Sequence, residues 1–211
     1  MIIAIDGYAC TGKSTVAEEL AKKMNFIHIN SGMLYRAITL YLYNNGITTN
    51  NINLQLNNIE KLVNSIDFET ITYSTDSLKQ QFISDLGSHI AQIPAVRAKV
   101  SEELHRIASV NNVIIDGRDI GSNEFPNAEH KYFFEVSTIE RAKRLIKERR
   151  WNYSEENLNK CIDEIEQRDS KDVHRENSPL RKADDAIVIN RDNLSVDETV
   201  SLLYQKCNSN R

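Results

Sequence analysis

The chain lacks the means to build several kinds of protein. Only three of its 211 residues are cysteines, Cys10, Cys161 and Cys207, odd in number and widely spaced. That excludes a disulfide framework and points to free thiols in a reducing compartment. There is no CxxC pair, and the five histidines are scattered, so no metal site of cysteine and histidine is spelled out. No apolar run approaches the roughly 20 residues that cross a bilayer. No basic segment precedes the first apolar run, so no signal peptide is expected. Positive charge is not in excess: 26 Lys and Arg face 30 Asp and Glu, a net charge of −4. Nonspecific nucleic-acid binding is therefore not the expected task. No serine–histidine–aspartate or cysteine–histidine arrangement and no internal repeat is visible. The expectation is a cytoplasmic monomer with no membrane or nucleic-acid partner. With 40% hydrophobic and 27% charged residues, its length fits one domain with small insertions.

What is present starts at the front. Gly7, Tyr8, Ala9, Cys10, Thr11, Gly12, Lys13 and Ser14 spell G-x-x-x-x-G-K-S, with Thr15 following. The apolar run at 2–5 precedes them and a helical pattern follows. Such a strand–loop–helix unit converges backbone N–H groups and a helix N-terminus on one point. Lys13 would reach the β- and γ-phosphates, and the Ser14 hydroxyl would hold Mg²⁺. A bound nucleoside triphosphate is the expectation.

Strands are predicted at 2–6, 26–29, 113–115, 132–136 and 186–189. Helices are predicted at 13–24, 31–43, 86–93, 95–110, 138–150, 155–171 and 196–207, with Ser31 as a possible cap. A further helix is expected to begin after the Asn-rich loop and run through 59–63. Ile66, Phe68, Ile71 and Tyr73 nearly alternate, and Phe82-Ile83 follows a turn, which suggests a small antiparallel excursion. Strands alternating with helices predict three α/β/α layers around a parallel five-stranded sheet, and the phosphate loop after its first strand makes this a P-loop NTPase fold. Ligands then sit beyond the carboxyl ends of the strands, where residues 7–14, 30–32 and 116–119 fall.

Asp116 ends a buried run beside that loop and is a candidate to hold a water of the Mg²⁺ shell. Arg36, Arg97, Arg118, Arg168 and Arg175 are candidates for a cationic cleft, because two repelling phosphates need converging forks of positive charge. Arg168, Asp172 and Arg175 are spaced to share one helix face. They are either an exposed ribbon of ion pairs or an arginine-bearing lid. The surrounding stretch 140–181 is rich in Arg, Lys and Glu and poor in large apolar residues, which suits a mobile lid. Cys10 lies near a helix N-terminus that would lower its pKa. Its ordinary reading is a small residue in the loop; a lesser one is a thiol whose oxidation blocks nucleotide binding.

At this point the chain resembles bacterial cytidylate kinases. The resemblance rests on residues 7–15, on Asn30-Ser31-Gly32-Met33-Leu34-Tyr35-Arg36, on Ile115-Asp116-Gly117-Arg118-Asp119-Ile120-Gly121, and on Arg168-Asp169-Ser170-Lys171-Asp172-Val173-His174-Arg175. It implies Mg²⁺-assisted transfer of a phosphoryl group from ATP to CMP or dCMP, on a core of residues 1–49 and 89–211. A lid within 150–176 and a nucleoside-monophosphate-binding insert at 50–88 complete the implied organisation. By position, Lys13, Arg118 and Arg168 would be catalytic. Gly7, Tyr8, Ala9, Cys10, Thr11, Gly12, Lys13, Ser14 and Thr15 would bind ATP. Arg36 and Arg118 would grip the CMP phosphate, and Ser88, Arg97 and Asp119 would read the cytosine edge. Ser31, Tyr35, Asp116, Gly117, Arg168, Asp172 and Arg175 would complete the pocket, with Ser14 and, through water, Asp116 on the metal. The chain departs from the family where Cys10 replaces a usual glycine, in a shorter 50–87 excursion, and at 189–195. Two rivals are a kinase for another acceptor, such as another nucleotide or shikimate, and a nucleotide-controlled switch. The N-K-x-D segment of a guanine-specific switch is absent.

Overall fold

The computed structural model describes residues 1–69, 73–78 and 80–209. Five strands, β1 (Ile2–Gly7), β2 (Ile27–Asn30), β3 (Val113–Asp116), β4 (His130–Glu135) and β5 (Ile187–Asn190), lie in the order β2-β3-β1-β4-β5. Pairing is parallel: Ile3 stands opposite Ile114 on one side and His130 on the other, and Phe134 opposite Ile189. Ile3, Ala4 and Ile5 are wholly buried, as a central strand covered on both faces requires. From β1 the chain runs outward to β2, returns to β3, and then crosses to β4 on the far side. The carboxyl end of β1 is therefore a topological switch point, where open α/β sheets bind ligands.

The helices are α1 (Lys13–Met24), α2 (Ser31–Asn44), α3 (Leu56–Asn64), α4 (Thr75–Leu78), α5 (Gln81–Ile90), α6 (Pro94–Ala108), α7 (Thr138–Glu148), α8 (Glu155–His174) and α9 (Val196–Asn208). Two compact units result: Met1–Ile29 with Asn111–Arg211, and Asn30–Val110. In the first, Val16, Ala17 and Leu20 of α1 and Val200 and Leu203 of α9 close over Ile3, Ile5, Tyr132 and Phe134. The second is helical; α2 packs on α3, α4, α5 and α6.

Three sequence expectations change. The antiparallel excursion is not a pair of strands among the described residues: Ile66, Phe68 and Tyr73 lie in irregular chain and turns, and Phe82 and Ile83 lie in α5. Ile71 falls outside the described residues. Ile83, Leu86, Gly87 and Ile90 recur at helical spacing and are buried, with Ile83 against Leu40 and Leu78, so the 3.6 period prevails. Asn30, not Ser31, caps α2, its Oδ1 accepting the Met33 N–H at 3.1 Å. The stretch 140–181 has a core of its own. Ala142, Leu145 and Ile146 of α7 meet Cys161 and Ile165 of α8, with Trp151, Leu158 and Ile162 around them. Few apolar residues suffice because they share one stripe on each helix.

Candidate active site

The loop after β1 is shaped by two glycines. Gly7 has φ 144°, and a Cβ there would stand 2.5 Å from the Phe134 carbonyl oxygen. Gly12 has φ 80°, and a Cβ would stand 2.7 Å from the Arg191 guanidinium. Only glycine fits either place. Cys10, with φ 57°, also occupies the left-handed region, so the position suits the glycine usual in the resembled family. Burial pushes the Cys10 thiol up, with nearby Arg168 opposing. That is the reverse of the activation its place near α1 suggested, and it leaves the thiol a poor nucleophile.

Lys13 is buried and donates its ammonium to the carbonyls of Gly7 at 2.8 Å and Tyr8 at 2.6 Å, and to Thr11 Oγ1 at 3.2 Å. Burial drives its pKa well below the ordinary lysine value, and Arg118 lowers it further against the pull of Asp116 and Asp6. Three arginines of later elements also hold the loop. Arg141 donates to Ala9 O, Arg144 to Thr11 O at 2.9 Å, and Arg191 to Thr11 O at 2.8 Å. Cations thus tie the loop carbonyls, leaving N–H groups of this turn to serve as anion donors. Ala9 N–H is an exception: it donates to Asp169 Oδ1 at 2.9 Å, and Asp169 is ion-paired with Arg141. Arg141 stacks over the Tyr8 ring, and its buried Nε has no hydrogen-bond partner among the described residues. A cavity of about 310 Å³ opens beside Tyr8 and Arg141, at the ends of β4 and β5. Sequence reasoning missed Arg141, Arg144 and Arg191, which no local spacing marks, and gave Asp169 no role although it lies in the 168–175 segment that carries the resemblance.

Asp116 ends β3 and is buried. Ser14 Oγ donates to its Oδ2 at 2.7 Å, and His28 Nε2 lies 2.7 Å from its Oδ1. The structure thus brings the Ser14 hydroxyl of α1 against the carboxylate that ends β3. Both are hard oxygen donors, the kind of group Mg²⁺ takes. His28 was not anticipated.

The chain just after the D-G-R-D turn is held by Asp6, whose carboxylate accepts Ile120 N–H at 2.9 Å and Gly121 N–H at 2.7 Å. Burial pushes the Asp6 carboxyl up to about 6, although those two amides pull it down. Arg118 Nε donates to Asp172 Oδ2 at 2.8 Å, and Arg175 donates to Asp119 Oδ1 at 2.8 Å. Burial raises the Asp172 carboxyl, but Arg118, Arg168 and Arg175 together hold it below the usual range. Arg168 is exposed on α8, one residue before buried Asp169. Two ion pairs thus join the end of this helix to the turn after β3, Asp172 with Arg118 and Arg175 with Asp119, and both are enclosed rather than an exposed ribbon.

In the second unit Ser31 begins α2 and is buried, while Arg36 donates to the Leu78 carbonyl at 3.5 Å. Buried Arg97 stacks over the Tyr35 ring, 5.6 Å from its centre, and donates to Ala91 O. Ser88 spends its hydroxyl on the Asp85 carbonyl within α5.

A family model described as cytidylate kinase matches residues 3–209. The chain belongs to the cytidylate kinase family. Among curated cytidylate kinases, that of Caldicellulosiruptor saccharolyticus is 38% identical over 218 residues, covering 96% of this chain and 93% of the relative. That of Fusobacterium nucleatum is 36% identical over 216 residues, covering 98% and 96%. An uncharacterized protein from Eubacterium ventriosum shares the fold, with a TM-score of 0.58 at 13% identity and coverage of 99% and 98%. No described helix is long and apolar enough to cross a membrane.

Proposed function

We propose that the chain transfers the γ-phosphoryl group of ATP to CMP or dCMP, giving ADP and CDP or dCDP. Membership of the cytidylate kinase family over nearly the full length carries this reading. The phosphate loop, with its carbonyls tied back by Lys13, Arg141, Arg144 and Arg191, supports it as the ATP-phosphate cradle. The cavity beside Tyr8 and Arg141 supports placing the adenosine there. Gly7, Tyr8, Ala9, Cys10, Thr11, Gly12, Lys13, Ser14 and Thr15 form the ATP side. Ser14 and, through water, Asp116 would hold Mg²⁺, which supplies charge neutralisation to the phosphate oxygens when bound.

The acceptor phosphate is largely dianionic near pH 7, with a second pKa of about 6, so its oxygen needs no general base. That oxygen forms a bond to the γ-phosphorus while the bond to the β–γ bridging oxygen breaks, and ADP leaves with that electron pair. Lys13 turns from the loop carbonyls to the transferring group. Arg118 and Arg168 neutralise charge that grows during transfer. On the acceptor side, Arg36 and Arg118 bind the CMP phosphate; Ser88, Arg97 and Asp119 read cytosine; Ser31, Tyr35, Gly117, Asp172 and Arg175 complete the pocket. The stretch within 150–176 acts as lid, and 50–88 as the nucleoside-monophosphate insert. A monomer working in pyrimidine nucleotide metabolism in the cytoplasm, without a nucleic-acid partner, fits these substrates.

The test is ADP release with CMP, dCMP, UMP, AMP, GMP and shikimate as acceptors. CMP and dCMP should give the highest kcat/KM. Preference for another acceptor would replace the reading, and turnover unmoved by any acceptor would favour a nucleotide-controlled switch.

A further inference from the structure

We propose that His28 is a positioning residue for metal–nucleotide binding, holding Asp116 in the orientation that faces Ser14. This rests on the reading of Ser14 and Asp116 as the pair that meets Mg²⁺. Two neighbours meet opposite oxygens of the Asp116 carboxylate: Ser14 Oγ lies on Oδ2 and His28 Nε2 on Oδ1, each at 2.7 Å. An ionised carboxylate only accepts, so Nε2 carries the proton of the imidazole and donates it.

Topology brings them together. β2 lies beside β3, His28 is in β2, and Asp116 is the last residue of β3. The His28 side chain is 19% exposed and that of Asp116 4%, so this is an enclosed contact rather than a solvated surface pair. A carboxylate turns easily about its last torsion, whose energy wells are broad. A donor on Oδ1 fixes that torsion, and with it the place of Oδ2 beside Ser14. Partners one step removed from a metal commonly set its affinity in this way.

The experiment measures ATP binding by calorimetry to the full chain, once in excess Mg²⁺ and once in EDTA. His28→Leu removes the donor; His28→Gln keeps an N–H at similar reach. His28→Leu should weaken ATP binding in Mg²⁺ about tenfold. In EDTA it should bind ATP within about twofold of the parent, and His28→Gln should restore most of the Mg²⁺-dependent gain. Equal weakening with and without Mg²⁺, an undiminished gain in His28→Leu, or Gln behaving as Leu would each overturn the proposal. Asp116→Asn separates the two layers. If it keeps the full Mg²⁺ gain, the metal reading fails and the role of His28 with it. If it loses the gain and His28→Leu does not, only the role of His28 fails.

Discussion

Asp169 accepts the Ala9 amide N–H at 2.9 Å, joining α8 to a phosphate loop 160 residues earlier in the chain. The same carboxylate pairs with Arg141, which also donates to Ala9 O. One buried ion pair therefore clamps both polar groups of a single residue in the loop.

Breaking that clamp should be costly. Asp169→Ala leaves the Arg141 guanidinium buried without its counter-charge, a loss of about 3 kcal/mol or more. For a chain of this size that lowers Tm by roughly 6–12 °C. Urea unfolding of the variant beside the parent measures it, and unchanged stability would contradict the clamp.

The loop should not tolerate a side chain at its first glycine. Gly7→Ala puts a methyl 2.5 Å from the Phe134 carbonyl oxygen on a backbone with φ 144°. Strain and displacement together should cost about 2–4 kcal/mol. ATP affinity should fall as well, because the amides lose their alignment. A thermal melt and an ATP titration check both effects.

Asp6 should give an inverted pH signature. Its folded pKa, pushed up to about 6, lies above the unfolded value near 3.9. Between about pH 4 and 6 the folded state then binds more protons, so the contribution of Asp6 to stability falls as pH rises through that window. The penalty is full above it and absent below it. Carbon-13 NMR of the Asp6 carboxyl should show a midpoint near 6. The stability of the parent relative to Asp6→Asn should improve as pH is lowered from 7 to 4.5. A midpoint below 4 would contradict the assignment.

Arg118→Ala should lower kcat/KM for CMP by about 100-fold or more, the usual loss for one transition-state donor. Steady-state ADP release measures it. Wild-type kcat and KM would remove Arg118 from the mechanism.

The legible part of this fold was local. Residues 7–14 announced themselves because a strand, two glycines, a lysine and a helix follow one another within a few residues. All five strands of the sheet were readable too, each from a short run of apolar residues within it. Arg191 reaches the loop across 180 residues and Arg144 across 133, and no pattern near either one records that. The second half of α5 is legible as helix, but its start reads as strand because Phe82-Ile83 is an isolated apolar pair; only its recurrence with Leu86 and Ile90 fixes the period. His28 looked like any isolated histidine until β2 was placed beside β3.

The most direct test is a crystal structure with CMP and a nonhydrolysable ATP analogue bound together. It should place Lys13 and Arg118 within hydrogen-bonding distance of phosphate oxygens, and the CMP phosphate in line with the γ-phosphorus. Both nucleotides bound, with neither Lys13 nor Arg118 touching a phosphate, would contradict the account.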